Sequence, residues 1–175
     1  MSPADIKRLI RDIPDFPKPG IVFRDITPLL ADRDAFRALV DRFVERYRGR
    51  ADVVLGIESR GFLIGAAVAY GIGTGIALVR KPGKLPSQTY TARYELEYGS
   101  DALEIHHDAI GAGHRVLIVD DLLATGGTAS AAVELVKRCG GEVLACAFVI
   151  ELAYLGGRRR LRDIEVFSLV DYEHP

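Results

Sequence analysis

The chain has 175 residues, which suits one globular domain, and we treat residues 1–175 as a single domain. Apolar residues make up 49% of the sequence and charged residues 27%, an ordinary composition for a globular protein. The formal net charge of −1 argues against a nucleic-acid or membrane partner held by bulk charge, so any bound anion needs a local site.

The N-terminal segment, residues 1–33, begins with a predicted helix and continues as a rigid loop. Ser2 can cap the helix and Pro3 suits its first turn, while apolar residues as far as Ile13 share one helical face. Prolines and a glycine then interrupt this pattern, and Ile21 to Phe23 is predicted to be a short extended piece.

From residue 34 onward, the hydrophobic pattern alternates between helical and strand periodicity. It predicts a helix over Asp34–Arg48, a strand over Val53–Ile57, a helix over Phe62–Tyr70 closed by Gly71, and a strand over Ile76–Val79. A strand, a helix and a second strand in this order predict a parallel sheet.

Residues 81–107 interrupt the α/β pattern. Prolines and glycines at the start predict a loop, and Tyr94, Leu96 and Tyr98 then alternate with glutamates as in a strand with one solvent-exposed face. A turn at residues 99–101 would return the chain as a hairpin. We expect this excursion from the core to act as an active-site lid.

The α/β pattern resumes after residue 114. It predicts a strand over Val116–Val119, a helix over Ala129–Cys139, a strand over Val143–Ile150, a helical turn over Gly156–Leu161 and a last strand over Val166–Leu169. The sequence therefore predicts an α/β fold with a central, mainly parallel sheet flanked by helices.

The most informative segment joins the strand at Val116–Val119 to the helix that follows. Two acids come first, Asp120 and Asp121, and a small glycine-rich turn follows, made of Ala124, Thr125, Gly126, Gly127 and Thr128. A turn that enters a helix beyond a parallel strand presents backbone N–H groups to phosphate. Carboxylates would repel phosphate but accept hydrogen bonds from a sugar diol, so the pattern predicts a ribose 5-phosphate site. The alternative is a tight strand-to-helix turn with solvated acids.

This segment resembles the phosphoribosyl-diphosphate motif of the type I phosphoribosyltransferases. Further stretches narrow the resemblance to the adenine phosphoribosyltransferases, and they are Phe16–Pro28, Glu58–Phe62, Arg80–Pro86 and Leu96–Gly99. They occur in family order and cover nearly the whole chain. The resemblance implies the type I phosphoribosyltransferase fold, with residues 1–33 as a small N-terminal hood that binds the base and residues 81–107 as a flexible β-hairpin lid.

The resemblance also implies a diphosphate subsite. Its members would be Glu58, Ser59, Arg60, Arg80, Lys81 and Lys84. In the family the Glu58–Ser59 turn often contains a cis peptide, and arginine is suited to bind phosphate oxygens with its forked guanidinium. Spacing alone favours a solvated arginine at a strand end and a solvated basic loop.

The base would bind between the hood and the strand-end turn. Phe23 could stack on a purine, main-chain groups of Val22 and Arg24 could read its edge, and Leu122 could close the other face. On the lid, beside Tyr98, the resemblance places Glu97 near the base, and we hypothesise that Glu97 exchanges a proton with the purine. The sequence alone favours Val22 and Phe23 as ordinary core residues, and Glu97 could equally be a solvated strand residue.

The implied reaction transfers the 5-phosphoribosyl group from 5-phospho-α-D-ribose 1-diphosphate, hereafter phosphoribosyl diphosphate, to adenine, which yields AMP and diphosphate. Asp120 and Asp121 would orient the ribose hydroxyls, and Mg²⁺ would bind mainly through the diphosphate, with no direct protein ligand expected. We expect a homodimer that binds neither nucleic acid nor a membrane. We also expect a cytoplasmic location, because the two lone cysteines suit a reducing compartment. The alternatives are an enzyme for another base and a non-catalytic phosphoribosyl-nucleotide sensor.

Overall fold

The fold is that of a computed structural model, which describes residues 1–95 and 99–175. The predicted roles of Glu97 and Tyr98, and most of the Leu96–Gly99 motif, therefore lie outside the described residues. Within the described ranges, no helix is both long and apolar enough to cross a membrane.

A parallel five-stranded sheet forms the centre of the protein, with strand order β4-β3-β7-β8-β9. The strands are β1 (Arg11–Ile13), β2 (Phe23–Asp25), β3 (Val53–Ile57), β4 (Gly75–Val79), β5 (Thr89–Glu95), β6 (Ser100–His106), β7 (Arg115–Leu123), β8 (Glu142–Leu152) and β9 (Glu165–Tyr172). The helices are α1 (Pro3–Lys7), α2 (Thr27–Ala31), α3 (Arg33–Tyr47), α4 (Arg60–Ile72) and α5 (Gly127–Arg138). The predicted α/β class is confirmed.

The sheet separates two apolar cores because successive side chains of a strand point to opposite faces. In β7, Leu117 and Val119 belong to the core that contains residues of α3 and α4. Val116 and Ile118 belong to the other core, which contains residues of α5 and of the β5–β6 hairpin. Both faces of β7 are therefore covered, and its carboxyl end is fixed in position.

The N-terminal segment departs from its prediction. The Ser2 capping box is confirmed, but α1 ends at Lys7 and the apolar pattern that continues to Ile13 does not extend it. The chain instead forms β1, which pairs antiparallel with β2, and Arg24 of β2 forms an ion pair with Asp12 of β1. Tertiary pairing has overridden helical periodicity here, and the short helix α2 was missed.

The end of α4 was also predicted wrongly. The helix continues through Gly71 and ends where Gly73 adopts a left-handed conformation with φ of 83°. Gly71 has a packing role instead, since a Cβ there would lie 2.5 Å from Cγ2 of Val44 on α3. A glycine in a helical pattern can thus mark a close helix–helix contact as well as a helix end.

The predicted hairpin is present, and its first strand begins earlier in the chain than predicted, at Thr89 of β5. Ala92 and Tyr94 from β5, with Leu103 and Ile105 from β6, are buried in the core beside α5. The described part of the excursion is therefore anchored to the domain rather than separate from it.

Candidate active site

A cleft of about 330 Å³ opens beyond the carboxyl ends of β3 and β7, beside the start of α5. It brings together residues from stretches that are far apart in sequence. Its lining comprises Glu58, Ser59, Arg60, Lys81, Tyr94, Leu103, Asp120, Asp121, Leu122, Leu123, Ala124, Thr125, Gly126, Gly127, Thr128, Ala129 and Phe148. The predicted phosphate turn, both predicted acids and four of the predicted diphosphate residues thus face one cavity.

The turn from Ala124 to Thr128 carries the chain directly into α5. Gly126 has φ of 84°, a left-handed conformation that favours glycine, and it is the residue just before the helix. Gly127 lies against the Tyr94 ring, where a Cβ would be 3.1 Å from Cδ2. The N–H groups in the first turn of a helix have no intrahelical acceptor, so they are available to an anion in the cleft.

The two acids are part of β7 rather than of the loop after it, because the pairing of β7 with β8 continues as far as Leu123. Asp120 is 9% exposed and Asp121 is 5% exposed. This burial excludes the alternative of a strand-to-helix turn with solvated acids.

Asp120 and Asp121 lie in different electrostatic environments. The Asp121 carboxylate accepts a hydrogen bond from Nε of Arg60. Asp120 Oδ1 accepts from the backbone N–H of Asp121 at 2.9 Å. Burial raises the pKa of Asp120 well above its ordinary value, and the neighbouring Asp121 carboxyl raises it further. The cleft therefore contains one carboxylate paired with a cation and one carboxyl group that resists ionisation.

The strand-end turn after β3 approaches β7 closely. The Glu58–Ser59 peptide is cis. A Cβ at Gly61 would lie 2.8 Å from the carbonyl oxygen of Val119 and 2.9 Å from Oδ1 of Asp120, so only glycine fits there without displacement. Arg60, which precedes Gly61, reaches Asp121 on one side, and its guanidinium carbon lies 5.4 Å from the centre of the Phe23 ring.

Lys81 lies in the cleft and is held by two groups that sequence reasoning missed. Its Nζ donates to the hydroxyl of Tyr94 at 3.0 Å and to the carboxylate of Asp101. Burial by itself lowers the pKa of Lys81, but the hydrogen bonds to Asp101 and Tyr94 outweigh it and raise the pKa. The hairpin pairs Tyr94 with Asp101. The sequence carries a signal for the hairpin, but none for the approach of this pair to Lys81.

Arg80 and Lys84 are not among the residues that line the cleft. Nη2 of Arg80 donates to Oε1 of Glu58 at 2.9 Å, and this bond holds the pKa of Glu58 below its usual value. Nη1 of Arg80 donates to the carbonyl of Lys84 at 3.3 Å, and the Lys84 residue itself is exposed. Arg80 therefore holds Glu58, and Lys84 lies on the surface beside Arg80.

Of the predicted base-binding residues, only Leu122 lines this cleft, and Val22, Phe23 and Arg24 of the hood do not. Phe23 is half-buried and packs edge-on against Phe16, with ring centres 5.2 Å apart. Arg24 is 6% exposed, its Nη1 lies 2.5 Å from Oδ1 of Asp12, and its guanidinium stacks 4.0 Å from the centre of the Tyr172 ring. The Arg24 side chain is therefore committed to the protein interior, and Tyr172 is a contact that the sequence did not indicate.

The residues of the cleft could supply only part of the coordination of a bound Mg²⁺. Over residues 1–95 and 99–175, no group of three or more His, Cys, Asp or Glu side chains is placed to hold a metal ion. Asp120 and Asp121 supply carboxylate oxygens, which Mg²⁺ accepts when substrate phosphates and water complete its coordination.

Comparison with known proteins gives consistent results. The model of the phosphoribosyl transferase domain family matches residues 28–174. An adenine phosphoribosyltransferase of Geobacter metallireducens is 59% identical over 169 residues, which cover 96% of this chain and 99% of that protein.

Two solved structures share the fold. The crystal structure of adenine phosphoribosyltransferase from Thermoanaerobacter pseudethanolicus superposes with a TM-score of 0.95 at 49% identity and covers 98% of this chain and 100% of its own. The enzyme from Saccharomyces cerevisiae, complexed with an imino-altritol bisphosphate and adenine, gives a TM-score of 0.90 at 42% identity and covers 95% of this chain and 97% of its own.

Proposed function

Since the chain belongs to the adenine phosphoribosyltransferases of the type I phosphoribosyltransferase family, and so forms AMP and diphosphate from adenine and phosphoribosyl diphosphate, we propose that the cleft at the carboxyl end of its sheet is where this reaction takes place. One observation carries this assignment. A glycine-rich turn at a helix N-terminus and two buried carboxylates face the same cavity of about 330 Å³. A phosphate next to a sugar diol is the ligand that such a pair of subsites would accept.

The substrate phosphates are bound at opposite ends of the cleft in this proposal. Main-chain amides of residues 124–128 hold the 5-phosphate. Arg60 and Lys81 hold the diphosphate, aided by the Glu58–Ser59 turn, and both cations already line the cavity. Arg80 and Lys84 contribute from outside the lining by fixing that turn and adding positive charge. Since Arg60 is paired with Asp121 in the described structure, diphosphate competes with Asp121 for this guanidinium.

Bond formation then occurs between the two ends. A ring nitrogen of adenine attacks the anomeric carbon, the bond from that carbon to the diphosphate oxygen breaks, and positive charge develops on the ribose ring. Asp120 and Asp121 orient the ribose hydroxyls, and the Asp121 carboxylate supplies negative charge beside the ring, a preorganised stabilisation that water cannot match. The proton that the attacking nitrogen loses is accepted by Glu97.

The role of Glu97 rests on resemblance and is directly testable. In Glu97→Ala, we expect the single-turnover rate to fall while the Kd for phosphoribosyl diphosphate stays within about twofold, because the proton acceptor does not touch the phosphates. An unchanged single-turnover rate would remove Glu97 from the mechanism.

Mg²⁺ belongs to the same proposal. It would be held mainly by the diphosphate, with Asp120 or Asp121 as its protein contacts, and when bound it neutralises charge that develops on the leaving group. Chelation with EDTA should therefore abolish turnover, and added Mg²⁺ should restore it.

The base subsite is proposed to lie between Phe23 and Leu122. Phe23 stacks on the purine, and main-chain groups of Val22 and Arg24 read its edge, which the inward-turned Arg24 side chain leaves accessible. A hydrogen-bonded edge discriminates strongly, since a wrong base leaves buried polar groups unpaired.

One assay tests the whole assignment. Purified protein with Mg²⁺ and phosphoribosyl diphosphate is given adenine, hypoxanthine, xanthine or orotate, and nucleotide and diphosphate are measured. We expect turnover with adenine alone. Equal turnover with another base would favour the broader-specificity alternative, and binding without diphosphate release would favour the sensor.

We also propose that the protein is a homodimer. Leu63 and Tyr70 on α4 and Ile76 and Leu78 on the edge strand β4 are large apolar side chains that are exposed in the single chain. Ile76 connects the two elements, since its Cδ1 lies 3.3 Å from the Cβ position of Gly65 on α4. Adjacent exposed apolar side chains mark an interaction surface. Sedimentation should give twice the 19.1 kDa chain mass, and Leu78→Glu should give monomers.

A cytoplasmic location is proposed as well. Cys139 and Cys146 are free thiols, which suit a reducing compartment. Recovery of the protein in the cytoplasmic fraction after cell lysis and fractionation would test this location.

A further inference from the structure

The phosphate turn is supported from behind by a segment that has no part in the proposed chemistry. After β8, the chain forms two short 3-10 turns, Ala153–Leu155 and Gly157–Leu161. The backbone of Gly157 packs directly on the phosphate turn. A Cβ at Gly157 would lie 2.4 Å from the carbonyl oxygen of Ala124, and a Cβ at Gly126 would lie 2.5 Å from the carbonyl oxygen of Gly157.

This contact joins one backbone to another, so neither side can shift independently. Gly156 and Gly157 form the turn that makes the close approach, and Gly156 has φ of 65°. Any movement of Gly157 would therefore be transmitted to the amides of the turn that holds the 5-phosphate.

Arg158, the next residue, fixes Gly157 to the sheet. Its Nε donates to both carboxylate oxygens of Glu151, at 2.7 and 2.9 Å, and its Nη2 donates to Oε2 of Glu151 at 2.6 Å. Its Nη1 donates to the carbonyl of Val166 at 2.9 Å, and its Nη2 also reaches Oγ of Ser168 at 3.0 Å. Each guanidinium nitrogen is thus bonded to β8 or to β9.

Glu151 is 5% exposed and belongs to β8, where it is the register partner of Leu123 at the end of β7. Burial by itself raises the pKa of Glu151, but hydrogen bonds from Arg158 and Ser168 outweigh it and hold the pKa below its usual value. The carboxylate is therefore charged at neutral pH and holds Arg158 in a fixed place.

Stability alone is a poor explanation for this ion pair, because its carboxylate is buried while the Arg158 side chain is 49% exposed. Desolvation of the buried carboxylate offsets part of the attraction, and solvent screens the half-exposed guanidinium. What the pair does provide is a directional connection, here between rigid strands and the turn at Gly157.

We propose that Glu151 and Arg158 are positioning residues for phosphoribosyl binding, acting through Gly157 to hold the phosphate turn in its anion-binding geometry. The inference rests on the proposed function, because it assigns the 5-phosphate to residues 124–128. It predicts that loss of the ion pair weakens the binding of ligands that carry the 5-phosphate. The binding of free inorganic diphosphate should not change.

The test uses the double variant Glu151→Met with Arg158→Met, which leaves no buried charge without a partner. We expect the Kd for ribose 5-phosphate and the KM for phosphoribosyl diphosphate to rise about tenfold or more, since small misplacements of binding groups are costly. The Kd for inorganic diphosphate and the kcat should stay within about twofold. Arg158→Lys, which keeps the charge and one donor group, should recover part of the affinity.

A matched control removes a second ion pair that also involves β9. Glu165, at the start of β9, accepts hydrogen bonds from Arg46 and Arg50, and neither arginine belongs to the phosphate turn or to the Gly157 segment that supports it. Glu165→Gln should lower the melting temperature without raising the Kd for ribose 5-phosphate.

Three outcomes would overturn the inference. The first is a double variant that binds ribose 5-phosphate as tightly as the unaltered protein. The second is equal weakening of ribose 5-phosphate and diphosphate, and the third is equal weakening in the Glu165→Gln control, both of which indicate a general loss of structure. The proposed function would fail separately, if the unaltered protein made no AMP. Even then, the Kd for ribose 5-phosphate would test whether Glu151 and Arg158 position the phosphate turn.

Discussion

The phosphate side and the base side of the cleft are built in different ways. The phosphate side, which would hold the 5-phosphate and the ribose, comes from one stretch of chain, namely Asp120, Asp121 and residues 124–128. Its binding groups are mostly main-chain amides at a helix N-terminus. The base side is assembled from Phe23, Leu122 and the turn at Arg60, and Arg24 is held in place by Tyr172 near the other end of the chain. The first depends on local backbone geometry, and the second depends on packing between distant segments.

The difference has a consequence for substitutions. Backbone amides bind an anion whatever the side chains are, so the phosphate side should respond mainly to changes in charge or in backbone position. The base side should respond to loss of a single supporting side chain. The two sides meet at Arg60, which contacts both Phe23 and Asp121.

The largest effect is expected at the acid between the two sides. In Asp121→Asn, the ribose loses a charged acceptor and Arg60 loses its ionic partner. We expect kcat to fall by about 10²–10³, as when one preorganised electrostatic group is removed from an active site. The measurement is conversion of radiolabelled adenine to AMP.

Asp52→Asn is the matched control for Asp121→Asn. The Asp52 carboxylate also binds an arginine, with Arg115 Nη2 at 2.8 Å, but Asp52 directly precedes β3, at the amino end of the sheet. The Asp52→Asn substitution should therefore leave kcat unchanged. Full activity of Asp121→Asn, or an equal loss in Asp52→Asn, would remove Asp121 from the proposed ribose subsite.

A smaller effect is expected on the base side. Tyr172→Leu removes the ring on which the Arg24 guanidinium stacks, and the backbone that reads adenine loses support. We expect the KM for adenine to rise about three- to tenfold, in line with a partly buried cation–π contact. The KM for phosphoribosyl diphosphate should not change. Tyr172→Phe keeps the ring and should behave as the unaltered protein does.

If Tyr172→Leu raised both KM values equally, the two sides of the cleft would not be independent in the way that their construction indicates. Steady-state kinetics with each substrate varied in turn would decide this.

The same contrast explains what sequence reasoning could find. The strand, the two acids, the glycine turn and the helix are adjacent in sequence, and parallel sheets place such a turn at their binding edge. Asp120, Asp121 and residues 124–128 were therefore expected at one site, and all of them line the cleft, while their ligands stay a prediction. The bounds of strands β3 and β4 were likewise predicted to within one residue, because a short apolar run between turn residues leaves little choice of where the strand begins and ends.

What the sequence did not reveal are contacts between distant segments. The bond of Lys81 to Asp101, the stack of Arg24 on Tyr172 and the support of Gly126 by Gly157 join residues 20 to 148 positions apart. The length of α1 failed for the same reason, since pairing of β1 with β2 replaced a helix that periodicity alone favoured.

The smallest effect expected is a gain in stability on the phosphate side. Burial and the neighbouring Asp121 raise the pKa of Asp120 above its unfolded value of 3.8, so ionised Asp120 destabilises the fold. This penalty is absent below pH 3.8 and grows as the pH rises toward the folded pKa, because the unfolded chain releases the proton first. Asparagine has no charge and can still accept the hydrogen bond from the backbone N–H of Asp121.

Asp120→Asn should therefore raise the melting temperature by about 2–4 °C at pH 8, which corresponds to about 1 kcal/mol for a domain of this size, while lowering turnover. The gain should shrink as the pH is lowered from 8 to 5. Thermal unfolding followed by circular dichroism at several pH values measures it. A melting temperature that falls, or a gain that does not depend on pH, would mean that the fold tolerates ionised Asp120 without cost and that both acids of the cleft are charged before substrate arrives.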